Sequence, residues 1–266
     1  MVSPEANPTH TNGTASRRTA PVVAVATLFL LLSTAPGAWA RAGSTHSPAP
    51  SVTAATPSTM WAGYVATGQT FKKVKATWTE PALTCTPAFT AAILEVGLDD
   101  YSDSQMEQSG SFIECNSGSP TYALWYRTDL GTGFGVDIIH AGDRLTASVS
   151  YKAGTFTYSV KDATEPGESF TRTSGCGGVS CPRSSAEWML ETGDFTNPVP
   201  PLVQFASVHM GGASATDDAG VTGPIDDSAW TATQLTLVDG SSNTMATSSA
   251  LKPAGNAFKL TWKSGT

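Results

Sequence analysis

Short runs that alternate apolar and polar residues recur along this chain, and a period of two leaves strands as the only regular structure they can form. The clearest run is Ser185-Ala186-Glu187-Trp188-Met189-Leu190-Glu191. On a strand, Ala186, Trp188 and Leu190 share one face, and Ser185, Glu187, Met189 and Glu191 share the other. The apolar set is expected to enter the core, which places Glu187 and Glu191 on an open, solvated face. Val74, Ala76 and Trp78 alternate with Lys73, Lys75 and Thr77 as far as Pro81. Leu94, Val96 and Leu98 alternate with Glu95 and Asp99, and Tyr122, Leu124 and Tyr126 with Trp125 and Arg127. A hairpin is legible in Leu145 to Tyr151, the turn Lys152-Ala153-Gly154, and the returning Phe156, Tyr158 and Val160. Val203, Phe205, Val208, Leu235, Leu237, Phe258, Leu260 and Trp262 mark further short strands. No stretch combines a helical period with caps, so the chain is read as all-β, an antiparallel sandwich or barrel.

The organisation along the chain follows from composition. Arg17 and Arg18 precede an apolar run from Ala20 to Leu32, and Ala38-Trp39-Ala40 has the small-x-small form of a cleavage site. Residues 1–40 therefore read as a secretory signal peptide, with an apolar core too short to span a bilayer comfortably. Residues 41–58, rich in Ser, Thr, Pro and Ala, read as a disordered linker or short pro-segment, and residues 59–266 as a single domain. A secreted, extracellular location is expected. The formal net charge of −7 argues against nucleic acid or an anionic membrane as partner. Four cysteines in an exported chain read as two disulfides. Cys176 and Cys181 enclose a short local loop, which leaves Cys85 with Cys115. Zinc is the rival reading, but no histidine lies near either pair.

Several chemistries are missing from the sequence. There is no complete Gly-x-Ser-x-Gly, no Asp-Thr-Gly or Asp-Ser-Gly, no His-Glu-x-x-His and no Gly-x-x-x-x-Gly-Lys. Gly131-Thr132-Gly133-Phe134-Gly135 lacks the spacing of a dinucleotide loop and reads as a turn. What survives is acid/base work by a carboxylate, with no metal and no cofactor implied. A glutamate on rigid strand backbone beside an indole is either a solvated charge or a general acid/base.

Five short motifs weigh on that choice: Trp61-Ala62-Gly63-Tyr64, Val96-Gly97-Leu98-Asp99, Glu107-Gln108-Ser109-Gly110, Trp125-Tyr126 and Ser185-Ala186-Glu187-Trp188. In this order they resemble the glutamic peptidases, the eqolisin or G1 family, over roughly Trp61 to Val208. The resemblance implies a concanavalin-like, jelly-roll sandwich of two antiparallel sheets with a cleft on the concave one. It implies that Gln108 and Glu187 are a catalytic pair and that Asp99 and Trp125 line the cleft. It also implies polypeptide substrates and a protein, expected to be monomeric, that works in acid. The pair makes chemical sense, because a carboxylate can take a proton from water and return it to the departing amine. An amide NH2 can meet the developing oxyanion, a contribution of ~3–4 kcal/mol to the barrier.

The chain departs from the family pattern at two cleft positions. Glu95 stands where the family commonly has Trp, and Arg127 where it commonly has Glu. Both face the cleft with opposite charge, so a Glu95–Arg127 ion pair is one expectation, and two independent rim charges the other. Met60 is a smaller departure, in place of Asn. Glu191 is expected to be solvated, and Glu107 to point away from Gln108. Two rival functions share the architecture. A carbohydrate-binding sandwich would use Trp125 and Trp188 as stacking platforms. A glycosidase would need two carboxylates closer than the ~13 Å that four residues of strand put between Glu187 and Glu191.

Overall fold

The computed structural model describes residues 53–99, 101, 105–128, 131–176, 180–192 and 199–265. The expected signal peptide and the first part of the expected linker lie outside them. Among the described residues the regular structure is strand throughout, apart from one 3-10 turn at Pro166–Glu168. In chain order the first strands are β1 (Thr53–Ser58), β2 (Trp61–Thr67), β3 (Phe71–Thr79), β4 (Leu83–Thr84), β5 (Thr90–Leu98) and β6 (Glu107–Asn116). Next come β7 (Ser119–Thr128), β8 (Gly131–Ile138), β9 (Arg144–Lys152), β10 (Thr155–Asp162), β11 (Phe170–Gly175) and β12 (Ser185–Glu191). The last six are β13 (Gln204–Phe205), β14 (Val208–Asp217), β15 (Thr222–Gly223), β16 (Thr231–Val238), β17 (Thr244–Ser248) and β18 (Phe258–Trp262).

Hydrogen bonding links most of these into one path, β11-β10-β9-β3-β14-β18-β17-β16-β2-β12-β5-β6-β7-β8. β14 serves two regions of it, pairing through Val208–Met210 with β18 and through Gly211–Asp217 with β3. The path doubles back on itself: β3 and β9 lie against β5, β3 also against β12, and β9 and β10 against β6. Between the facing strands lies a single large apolar core that includes Trp78, Trp188, Tyr64, Phe156, Leu94 and Leu98. Trp188 crosses it, its Nε1 donating to the Lys75 carbonyl at 2.9 Å. The hairpin of β9 and β10 forms in the expected register, with Ala153 and Gly154 at positive φ in its turn.

Two expectations need correction. Residues 53–58, assigned to the linker, form β1, which runs parallel to β16. Their small, polar and proline content gives no alternation, and the pairing rests on backbone groups that sequence pattern does not report. Gly131–Gly135, read as a turn, belongs to β8 and pairs with β7 at the end of the path. Glycine lowers strand preference only modestly, and a neighbour with a full set of backbone donors overrides it. Both disulfides form as expected, Cys85–Cys115 and Cys176–Cys181.

Candidate active site

Strand pairing alone brings the two expected catalytic side chains together. Glu187 of β12 stands opposite Gly97 of β5, and Gly97 stands opposite Gln108 of β6. Residues opposed in this way present their side chains to one face of a sheet. Gly97 contributes no side chain to the row, and its neighbours occupy the space. A Cβ placed on it would lie 2.6 Å from Glu187 Oε2 and 3.2 Å from Gln108 Cγ. Those two atoms are therefore within about 6 Å of each other. The glycine in Val96-Gly97-Leu98 is thus a spatial requirement of the site. Its parity with Glu95 was the available signal.

The neighbouring row carries Glu95. It is opposite Met189 on one side and Gly110 on the other, and Gly110 is opposite Trp125. Gln108 Nε2 donates to Glu95 Oε1 at 3.1 Å. Arg127 is opposite Gln108, and its Nη1 lies 4.0 Å from Glu191 Oε1. The ion pair that forms is Arg127–Glu191 rather than the expected Glu95–Arg127. The expected open face is not open either. Glu187 and Gln108 are 1% exposed, and Glu95, Glu191 and Trp125 are fully buried. Val65, Met189 and Leu235 form a second apolar cluster on this face, with Trp61 and Tyr101 packed against it. Glu191, expected to be solvated, is therefore part of the site's electrostatics.

Asp99 follows β5 in a left-handed conformation, φ +65°, and is fully buried. Its carboxylate accepts from the backbone amides of Arg183 and Ser184 and from Ser184 Oγ. Its own amide donates to the Ser185 carbonyl at 3.3 Å. Asp99 thereby fixes the chain just ahead of Glu187. Trp188 points into the core and Trp125 is fully buried, so neither indole offers the surface platform that carbohydrate stacking needs.

Glu107 sits on the opposite face from Gln108, inside the core, and accepts from the Tyr158 hydroxyl. Glu80 is a second core carboxyl, one that pattern reading missed. Its parity with Trp78 across Thr79 would have placed it inward. Glu80 Oε1 accepts from Trp78 Nε1 at 2.6 Å and Ser111 Oγ at 2.5 Å. Burial pushes its pKa up to about 7, with Asp143 and Asp162 adding to the rise and the two hydrogen bonds opposing it. Among the described residues, one trio has donor atoms close enough to hold a metal ion: His140, Asp143 and Glu168. None of the three belongs to the Glu187 row.

The model of the peptidase A4 family matches residues 59–259. The fold is shared with scytalido-glutamic peptidase, solved with a transition-state analogue inhibitor. That match has a TM-score of 0.66 and 20% identity, over 77% of this chain and 98% of that one. SCP-B, an eqolisin solved with the tripeptide Ala-Ile-His, matches at a TM-score of 0.64 with 20% identity, over the same shares. Aspergilloglutamic peptidase from Aspergillus niger matches at 0.55 with 24% identity, over 65% of this chain and 99% of that one. No curated protein matches the sequence closely enough to add a further relative. With a family match over most of its length, the chain belongs to the peptidase A4 family, the glutamic peptidases, and is an endopeptidase of that family.

Proposed function

We propose that Glu187 and Gln108 are the catalytic pair of a secreted acid endopeptidase. The observation that carries this reading is the row Glu187–Gly97–Gln108, in which a carboxylate and an amide converge over a glycine. Ionised Glu187 takes a proton from a water as it adds to the scissile carbon, and the Gln108 amide N–H groups stabilise the oxyanion. Glu187 then delivers the proton to the amine nitrogen as the C–N bond breaks. Neither group needs to be a cation, so the pair works where a histidine base would be protonated. The base must be ionised, so turnover falls at the acid extreme.

Further parts of the reading rest on the same face. Arg127 shares it with the pair and would shape a substrate subsite, Trp125 and Glu95 are buried beside the pair, and Asp99 acts through its hold on the start of β12. The doubling back of the strand path supports a two-sheet, concanavalin-like sandwich. Loss of residues 1–40 on export, an extracellular monomer and catalysis without a metal complete the proposal.

Digestion of a denatured protein at about pH 3–4, below the range where imidazole is neutral, tests it. The expected result is cleavage by the wild type and cleavage slowed by about 10²-fold or more in Glu187→Gln and in Gln108→Ala. Cleavage at the wild-type rate by Glu187→Gln would move the chemistry elsewhere.

A further inference from the structure

Glu95 is a fully buried carboxyl in the row beside the catalytic pair, and burying such a group is costly unless it is hydrogen-bonded. One of its bonds goes to the group whose orientation matters most. Gln108 Nε2 donates to Glu95 Oε1 at 3.1 Å. A glutamine amide has two faces with opposite character, NH2 donating and C=O accepting, and rotation by half a turn exchanges them. Only one orientation offers N–H to an oxyanion. We propose that Glu95 is a positioning residue, one that holds the Gln108 amide in the orientation catalysis requires. The inference rests on reading Gln108 as the oxyanion donor.

An ionised carboxylate can only accept, so it admits NH2 and repels the amide oxygen. The NH2 has two hydrogens, and donation to Glu95 engages one of them. A protonated Glu95 retains a carbonyl oxygen that accepts, so the contact survives in acid. The backbone supplies the room. Glu95 is opposite Gly110, and Gly97, the next position on the same face, is opposite Gln108, so neither glycine puts a side chain between Glu95 and Gln108. Among the described residues, the other charged groups on this face include Glu187, Glu191 and Arg127 near the pair and Glu114 towards the far end of β6. Arg127 is engaged with Glu191 at 4.0 Å, which keeps a competing donor off Glu95.

Steady-state kinetics on an unfolded protein or peptide substrate in acid, with Glu95→Gln and Glu95→Leu, test the proposal. Glu95→Leu removes the acceptor and is expected to lower kcat about tenfold or more, with KM within about twofold and an unchanged melting temperature. Glu95→Gln has the same volume and keeps an accepting oxygen, so it should retain kcat within about threefold. Wild-type kcat in Glu95→Leu overturns the proposal. So does a folded Glu95→Gln as inactive as Glu187→Gln, since the carboxylate would then take part in the chemistry. If Glu95→Leu fails to fold, Glu95→Gln and the following measurement decide. Proton–nitrogen NMR of the Gln108 side chain should show one NH2 proton protected from solvent exchange in the wild type and in Glu95→Gln. An unprotected NH2 in the wild type overturns the contact itself. This readout needs no turnover. Protection in a wild type that cleaves nothing would support the contact while removing the catalytic reading.

Discussion

The two faces of β5, β6 and β12 each bury carboxyl groups, and they do so for different ends. On the core face, Glu107 is met by the Tyr158 hydroxyl, and Glu80 reaches in from the end of β3 to Trp78 and Ser111. These donors belong to packed side chains inside the apolar cluster. On the other face, Glu187 and Gln108 converge over a glycine, with Glu95, Glu191 and Arg127 around them. Burial is nearly the same on both faces, so burial does not mark the chemistry. The distinguishing feature is a missing side chain. Gly97 leaves space between two polar groups on one face, while the core face is filled.

The sharpest test of this contrast pairs Glu187→Gln with Glu107→Gln. The first should lose ~10²–10⁴-fold in kcat/KM with little change in melting temperature. The second should stay within a few-fold of wild-type activity and lose ~1–3 kcal/mol of stability by denaturant titration, as Tyr158 meets a poorer acceptor. The reverse result would exchange the roles of the faces. Gly97→Ala should cost about 10²-fold in kcat, because its methyl must push aside the Glu187 carboxylate, and displacements near 1 Å have that effect. The displaced atom is the end of a flexible side chain, so the variant should fold, and a crystal structure should show Glu187 moved. Unchanged turnover would deny that the glycine gap matters.

Glu80 gives an effect visible only as a function of pH. Its folded-state pKa is raised from 4.5 to about 7. Between those values the folded protein holds a proton that the unfolded chain has released. The stabilisation is therefore complete below pH 4.5 and is lost as pH rises to about 7, a change of ~3 kcal/mol. Glu80→Gln cannot titrate, so it should flatten the decline in melting temperature over that window. An equally steep decline in the variant would place the pH sensitivity in other groups.

Alternation of side chains was enough to assign faces. It put Glu187 with Glu191, separated Gln108 from Glu107, and sent Trp188 inward, each as the structure has it. It failed wherever information lies outside side-chain period. Gly131–Gly135 carries side chains only at Thr132 and Phe134, too few to outweigh three glycines, and β1 pairs through its backbone. Alternation also does not say what covers a face, so Glu191 was placed in solvent although it is buried. Matching charges suggested Glu95 with Arg127, but Arg127 pairs with Glu191, a residue brought to the same face by strand pairings distant in sequence.

The clamp at the start of β12 has a consequence for folding fidelity. Arg183 is held by Asp99 through its amide, by the Phe71 carbonyl and Asp218 through its guanidinium, and by the Tyr151 ring 3.9 Å beneath that group. Two residues later the strand begins, with the identity of each face set by the count from that point. A slip of one position would drive Glu187 into the oily interior and thrust Trp188 among the acids. Arg183 thus works as a zero mark from which the fold measures Glu187 into place.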